Sequence, residues 1–447
     1  MPSARRKVLS LLFLVLIAAL VWKNTLGHEF VYDDETFIVG NESIRSLRPA
    51  AKFFSPESSS NNALMNGDVW RPLTTFSYAL TYAAAGLSPA AFHGINVALH
   101  LVNGLLFFGA VLLLLSGRSM AVDAESAWWT AWAAAAVFLT HPVQTESVAW
   151  VSQRSNLLFF LFYMLSLGLF VRAQRSGTPR GRIQSSALSL ACFALSLLSK
   201  EMALSLPPVL FVLAWILEKK DPKESARATW AYFLLAAVFV AARSWVLGHT
   251  AQTGYWAGGF VPQMLTMTKG FGIYVKLMIW PYPLSDWYHF PTKHSVDVEV
   301  AVSAAVILGL LTLAWKVRHT EPLVGFGVFL FFLSLGPVSN IVPIRAIINE
   351  RFLYLGCAGF GMIAGRASDR LRQKGWFAAV LVLVGLYGAV SARRNLDWKD
   401  PLSMPVPKGM TFLELVSGEV SRVTPHHGPW RDDEHRAVSE LSELDPT

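Results

Sequence analysis

The sequence predicts an all-α polytopic membrane protein of about eleven transmembrane helices, with a large first outer loop carrying interfacial helices. Three observations predict it. The 447-residue chain is 53% hydrophobic and only 15% charged, with mean hydropathy +0.41, whereas soluble domains carry about a quarter charged residues. Apolar runs of about 15 to 25 residues, long enough to cross a bilayer core, recur along the chain. The basic residues gather in short clusters between those runs.

Taken in order, the runs lie near 8–26, 91–115, 128–140, 155–171, 183–199, 202–217, 229–247, 298–315, 322–338, 351–365 and 375–391. The first follows Arg5-Arg6-Lys7 as a secretory signal would, but no small-x-small cleavage site comes after it, so it is read as a retained span. The 262–280 run is interrupted by Lys269, Gly270, Gly272 and Lys276 and is expected to be interfacial or re-entrant. Residues 71–84 mix apolar and hydroxyl positions and suit a helix lying along the interface. The expected division is a membrane domain over 1–391, with outer segments 28–90 and 248–297, and a polar outer tail over 392–447 with several prolines and no recognisable repeats.

Charge sets the expected sidedness. Arg5-Arg6-Lys7, the arginines at 172–182, the lysines at 219–223, Lys316 with Arg318, and the 366–374 cluster all fall inside if the N-terminus is inside and eleven spans follow. The C-terminus is then outside. A net charge of +8 distributed this way is the positive-inside pattern, not a nucleic-acid face. Cys192 and Cys357 both lie in apolar runs and form no disulfide framework or metal motif.

Candidate chemistry collects on the outer side. Asp33, Asp34 and Glu35 stand between the apolar triplets Phe30-Val31-Tyr32 and Phe37-Ile38-Val39. A solvated acidic turn is the bland explanation. Carboxylates held against apolar surroundings have raised pKa values, which suits a general base, and Asp33 and Asp34 are the candidates. A divalent metal, Mg or Mn, is compatible with Asp33, Asp34 and Glu35 but not required.

A second feature is His93, Asn96, His100 and Asn103, whose spacing of three, four and three puts them on one helix face. Such a stripe either lines a functional pathway or bonds helices together, and His100 and Asn103 fit the second role better. A third is His141-Pro142-Val143-Gln144-Thr145-Glu146, where His141 and Glu146 suit sugar hydroxyls or a cap, and are too few for a metal site. A fourth is cationic: Arg154, Lys200, Arg243, Arg345 and Arg351 all fall at expected outer ends of spans. Any one of them is explained by snorkelling to headgroups; five on one face favour an anionic ligand, phosphate above all. No phosphate-binding glycine loop and no nucleophile elbow occurs, and no internal duplication is visible.

Several of these motifs occur together and in order. Phe30-Val31-Tyr32-Asp33-Asp34-Glu35 with Asn41, Trp70-Arg71-Pro72-Leu73-Thr74, His93 to His100, His141 to Glu146, Arg154-Ser155-Asn156, Ser199-Lys200-Glu201 and Asn349-Glu350-Arg351-Phe352-Leu353-Tyr354 span roughly residues 28–360. Together they resemble the membrane part of the transmembrane and tetratricopeptide-repeat O-mannosyltransferases, which are type C glycosyltransferases. The resemblance implies a polytopic transferase of that architecture. It would take a sugar, usually mannose, from a polyprenyl- or dolichyl-phosphate donor to an acceptor hydroxyl of a protein or glycan, with inversion. It maps acceptor activation to Asp33 or Asp34 and donor phosphate binding to Lys200 and Arg351, with Arg154 a further candidate; substrate contacts are expected at His93, His141, Glu146, Glu201 and Glu350. It departs from the family where 34-residue repeats would follow Asn395-Leu396-Asp397-Trp398-Lys399-Asp400. That departure weakens the expectation of a protein acceptor and favours a bacterial plasma membrane over the endoplasmic reticulum. Two rival readings accompany it: a transporter of lipid-linked sugar, and an inactive membrane scaffold.

Overall fold

The computed structural model describes residues 4–55, 69–117, 120, 122–250, 254–285, 288, 291–344 and 346–401. Among them there is no strand, and thirteen α-helices have eleven residues or more. They are α1 (Ala4–Trp22), α2 (Pro72–Ala85), α3 (Pro89–Leu115), α4 (Ala124–Thr140), α5 (Arg154–Arg175), α6 (Pro179–Ser199), α7 (Leu206–Ile216), α8 (Pro222–Leu247), α9 (Phe260–Ile279), α10 (Val298–Val317), α11 (Pro322–Ser334), α12 (Leu353–Gln373) and α13 (Phe377–Arg394).

Local sequence explains where they begin. Proline opens α2, α3, α6, α8 and α11 at a position whose missing N–H has no helical partner. Asp123, Asp221 and Asp297 cap α4, α8 and α10 by accepting backbone N–H bonds from the first turn.

Each of the eleven predicted runs coincides with a helix, and the chain is a multi-pass membrane protein. Seven helices have the length and apolarity to cross a bilayer by themselves, so the count of eleven is not established. The four that lack them are α4, α7, α11 and α12. Their inner faces are covered by protein: in α4 every residue from Thr130 to Thr140 is buried, and in α12 so are Leu353 to Gly359. A helix shielded by neighbours needs no long apolar exterior. By contrast, α1, α8, α10 and α13 expose Leu12, Leu16, Leu234, Val238, Leu308, Val382 and Leu386. Apolar surface of that extent on several helices is what lipid covers.

Helices approach most closely where glycine removes the side chain. A Cβ added to Gly327 on α11 would lie 2.7 Å from the carbonyl oxygen of Gly359 on α12, and one on Gly361 3.0 Å from that of Ala134 on α4.

The bundle has two distinct poles. At one, Arg175 pairs with Glu218, Arg366 and Arg370 with Glu321, and Arg372 with Asp369 and Glu125. These pairs gather the ends of α4, α5, α7, α11 and α12, where the sequence places its basic clusters. The opposite pole carries the acidic turn with Arg71, Lys200 and Arg351. Helix α9 is continuous through Gly270 and Gly272 and touches this second pole from its middle to its end: Met267 meets Asn340, Tyr274 bonds Asn349, and the Met278 carbonyl accepts from His141 Nε2.

The first residues of the polar tail, as far as 401, are packed rather than loosely ordered. Helix α13 runs to Arg394, and the following turn buries Asn395 and Trp398. Residues 402–447, where repeats would lie, are outside the described residues.

Candidate functional site

The acidic turn is held in an unfavourable backbone shape. Tyr32 has φ +49°, a left-handed conformation that is uncommon for a bulky residue and clusters at functional sites. It is fixed from both sides: Asp34 N donates to the Val31 carbonyl at 3.0 Å, and Asp34 Oδ2 accepts from Val31 N at 3.1 Å. The other oxygen of Asp34 accepts from Ser152 N at 2.7 Å and from the Ser152 hydroxyl. Asp34 is fully buried. Burial pushes its carboxyl up to about 7, against the opposing pull of the Ser152 and Val31 bonds. Asp33 is half-buried and Glu35 exposed.

Three cations from separate parts of the chain lie near one another, and one of them, Arg71, reaches this turn electrostatically. Arg71, which precedes α2, forms a two-pronged bond with Glu201, Nε to Oε2 at 3.1 Å and Nη2 to Oε1 at 2.6 Å. Asp33 acts electrostatically on the same guanidinium. Arg351, just before α12, bonds Glu146 at 2.5 Å through Nη1 and at 2.6 Å through its backbone N–H, and its guanidinium lies 5.4 Å from the Trp150 ring. Between them stands Lys200, capping the end of α6.

Its Nζ donates to Asn156 Oδ1 at 2.7 Å, and among the described residues it has no ion pair. Burial, with Arg71 and Arg351 nearby, holds the Lys200 ammonium well below its usual range. A nearly buried cation with a neutral partner and two cationic neighbours is stabilised by any anion that reaches it. Lys200, Arg351, Glu146 and Glu201 are therefore brought together, and Arg71 links them electrostatically to Asp33.

Glu350 is buried beside this group. It accepts from Tyr288 OH at 2.7 Å and Ser285 N at 2.6 Å, and burial pushes it up to about 8. The turn after α13 closes the wall. Trp398 stacks on Trp150 at 5.2 Å and meets Tyr32 at 6.2 Å, and Glu29 N donates to the Lys399 carbonyl at 2.8 Å. The backbone that presents Asp33 thus leans on residues more than 360 positions later in the chain.

Other expected residues build the walls instead of facing the site. Arg154 is fully buried: Nε bonds Asn96 Oδ1 at 2.9 Å, Nη1 bonds Thr81 Oγ1 at 2.8 Å and Nη2 the Phe92 carbonyl at 3.0 Å. With its donors held by neutral acceptors, it locks α2, α3 and α5 together and is not placed to hold a phosphate. His93 is buried against the Glu29 carbonyl at 3.2 Å. His141 is likewise buried, with Nε2 3.0 Å from the Met278 carbonyl and Nδ1 accepting from Val143 N. Neither imidazole reaches an open surface.

The rest of the polar stripe is interhelical bonding, as His100 and Asn103 were expected to be: both meet Tyr354 OH, at 2.9 and 3.1 Å. Asp33, Asp34 and Glu35 do not converge into a cradle, because Asp34 turns both oxygens to protein donors, and among the described residues no group of three or more metal-ligating side chains is assembled. Arg243 bears on Glu201 electrostatically, and Arg345 lies outside the described residues.

Sequence reasoning passed over Arg71, Asn156, Tyr288 and Trp398. Arg71 and Asn156 each lie in a motif quoted above, so a signal existed for them. Tyr288 sits in a segment whose composition reads only as loop, and Trp398 in a stretch quoted above only as the place where repeats would begin.

No family model matches the chain. It is 26% identical over 416 residues to a protein O-mannosyl-transferase of Caenorhabditis elegans, covering 88% of this chain and 56% of that protein. It is 24% identical over 442 residues to the protein O-mannosyl-transferase TMTC4 of Mus musculus, covering 86% and 59%. A shorter match, 33% over 200 residues, is to the protein O-mannosyl-transferase Tmtc2 of Drosophila melanogaster, covering 43% and 20%. The chain thus spans a little over half the length of the first two relatives, and the resemblance read from its motifs holds. Among solved structures, the crystal structure of ArnT from Cupriavidus metallidurans bound to undecaprenyl phosphate aligns with TM-score 0.47 and 13% identity, covering 85% of this chain and 63% of that one.

Proposed function

We propose that this chain is a membrane glycosyltransferase that moves a sugar, mannose by its relatives' names, from a polyprenyl-phosphate donor to an acceptor hydroxyl, with inversion. The membrane domain is residues 1–391. The site pole faces outward, with the N-terminus inside. The observation that carries the reading is the convergence of Arg71, Glu201, Lys200, Glu146 and Arg351 at that pole, with Asp33 acting on Arg71 and with Lys200, among the described residues, bonded to a neutral amide. The relatives' names support the transfer reaction.

In the reaction, the acceptor oxygen attacks the anomeric carbon as the bond from that carbon to the phosphate oxygen breaks, and the electron pair leaves with the phosphate. Lys200, helped by Arg351, offsets the charge that develops there. The acceptor's proton passes to a carboxylate. Two arguments compete over which one. A pKa near 7 favours Asp34, but its oxygens are covered by Val31 and Ser152 and it has no exposed surface. Geometry takes precedence over pKa in choosing a base. Asp33 is therefore the base and Asp34 the strut that fixes it. Glu201 and Glu146 orient Arg71 and Arg351; Glu350 holds the Tyr288 segment against the site.

The reading is tested in proteoliposomes with polyprenyl-phosphate mannose carrying labelled sugar. Label leaving the lipid and appearing on an added hydroxyl acceptor with inverted configuration is the expected result. Label that crosses the bilayer still on its lipid would establish a transporter instead, and no binding at all would leave a scaffold.

A further inference from the structure

An open cavity lies away from the candidate site, between α3 and α5 near the basic pole. It holds about 670 Å³, within the range of about 300–1,000 Å³ common to small-ligand sites. Its floor is apolar, with Leu106, Leu113, Met164 and Leu169 among its lining. Two glycines open that floor. A Cβ on Gly109 would meet nothing within 4 Å, and one on Gly168 nothing nearer than Leu113 Cδ2 at 3.8 Å. This is the reverse of Gly327 and Gly359, where missing side chains bring helix backbones together. Here the missing side chains leave space.

The rim has the opposite character. Arg172, Arg175, Ser176 and Thr178 line it where α5 turns into α6. Arg175 is committed to Glu218 and to the Leu113 carbonyl. Arg172 is exposed, and among the described residues it makes no hydrogen bond or ion pair. The positive end of α6 adds to the same rim, with Arg180 and Arg182 close by in sequence.

We propose that this groove binds one anionic phospholipid of the bilayer, with an acyl chain along Gly109 and Gly168 and the headgroup phosphate at Arg172. An apolar trough ending in an unpaired guanidinium matches an acyl chain joined to a phosphate. The occupant is a bilayer phospholipid and not the polyprenyl-phosphate donor, because Lys200 and Arg351 belong to the other pole. The basic pole is the one the charge pattern places inside, where anionic lipids concentrate.

The test uses the full chain in nanodiscs with photoreactive phosphatidylglycerol or phosphatidylcholine, each carrying a diazirine in an acyl chain. Phosphatidylglycerol should label peptides of α3 and α5 about fivefold more than phosphatidylcholine, the factor that roughly one basic residue near the surface contributes. Arg172→Gln should abolish that preference. Gly168→Phe should fill the trough and lower labelling by both lipids. Gly168→Ala, which the open space accommodates, should retain labelling and so controls for misfolding. Equal labelling by the two lipids, unchanged in Arg172→Gln, would overturn the proposal in favour of ordinary boundary lipid. Displacement of the probe by equimolar undecaprenyl phosphate, but not by unlabelled phosphatidylglycerol, would overturn it in favour of the carrier.

Discussion

The two poles of the bundle differ in their use of charge: the site pole has ion pairs of its own, Arg71 with Glu201 and Arg351 with Glu146, and beside them charges held by neutral groups. At the basic pole charge meets charge: Glu321 joins Arg366 and Arg370, and Asp369 joins Arg366 and Arg372. At the site pole several charged groups meet neutral partners. Lys200 is held by Asn156, Arg154 by an amide, a hydroxyl and carbonyls, and Asp34 by a hydroxyl and backbone amides. Opposite charges that pair across helix ends hold the helices and want nothing further. A buried charge with a neutral partner is held in place without being neutralised, and that is the condition a ligand or a reacting group can exploit.

The comparison is broken most severely by removing the site pole's own charges. Asp33→Asn should lower transfer by about 10²–10⁴-fold, the range for a lost general base, while expression and membrane insertion persist. Lys200→Met should lower kcat/KM by roughly 10²-fold or more and weaken retention of the lipid-phosphate donor. Trp398→Ala, which removes a buried ring from the Trp150 and Tyr32 stack, should cost about 3–5 kcal/mol in thermal or denaturant unfolding. Trp398→Phe should recover much of it.

A subtler test is the pH dependence of stability. Asp34 rises from 3.8 to about 7 in the fold, so between those values the unfolded chain has lost its proton and the folded chain has kept it. Stability is then greatest in acid and falls as pH rises from about 4 to about 7. Asp34→Asn should flatten that decline, measured as the unfolding midpoint in buffered detergent; an unchanged slope would show that Asp34 is ionised in the folded chain. The smallest effect belongs to the other pole. Arg370→Ala removes a half-exposed partner of Glu321 that retains Arg366, and should change stability by less than about 1 kcal/mol with transfer unaltered.

How much of this was legible in the sequence depended on what each residue type can signal. Hydrophobic runs announced the helices because bilayer thickness and helix rise fix their length. The same rule could not separate α4 and α12, which protein covers, from α1 and α10, which face outward. The acidic turn and Lys200-Glu201 stood out as charges beside apolar runs with little loop to hide in. Arg154 and His141 stood out in the same way and yet serve packing, since a buried polar side chain reads identically whether it meets a substrate or a backbone carbonyl. Trp398 was hidden for another reason. Its neighbours Asn395, Asp397 and Lys399 make the segment look solvated, and only the close return of the chain to Val21, Asn24 and Glu29 buries it.

The division of labour between the two adjacent aspartates is the most exposed claim. Transfer of labelled mannose from polyprenyl-phosphate mannose, measured side by side for the native chain, Asp33→Asn and Asp34→Asn at matched membrane content, tests it directly. The account predicts that Asp33→Asn loses about 10²–10⁴-fold of turnover at every pH, while Asp34→Asn keeps most of its turnover with unaltered donor binding. Native-like turnover in Asp33→Asn, together with a dead Asp34→Asn that still binds donor and remains folded, would contradict it.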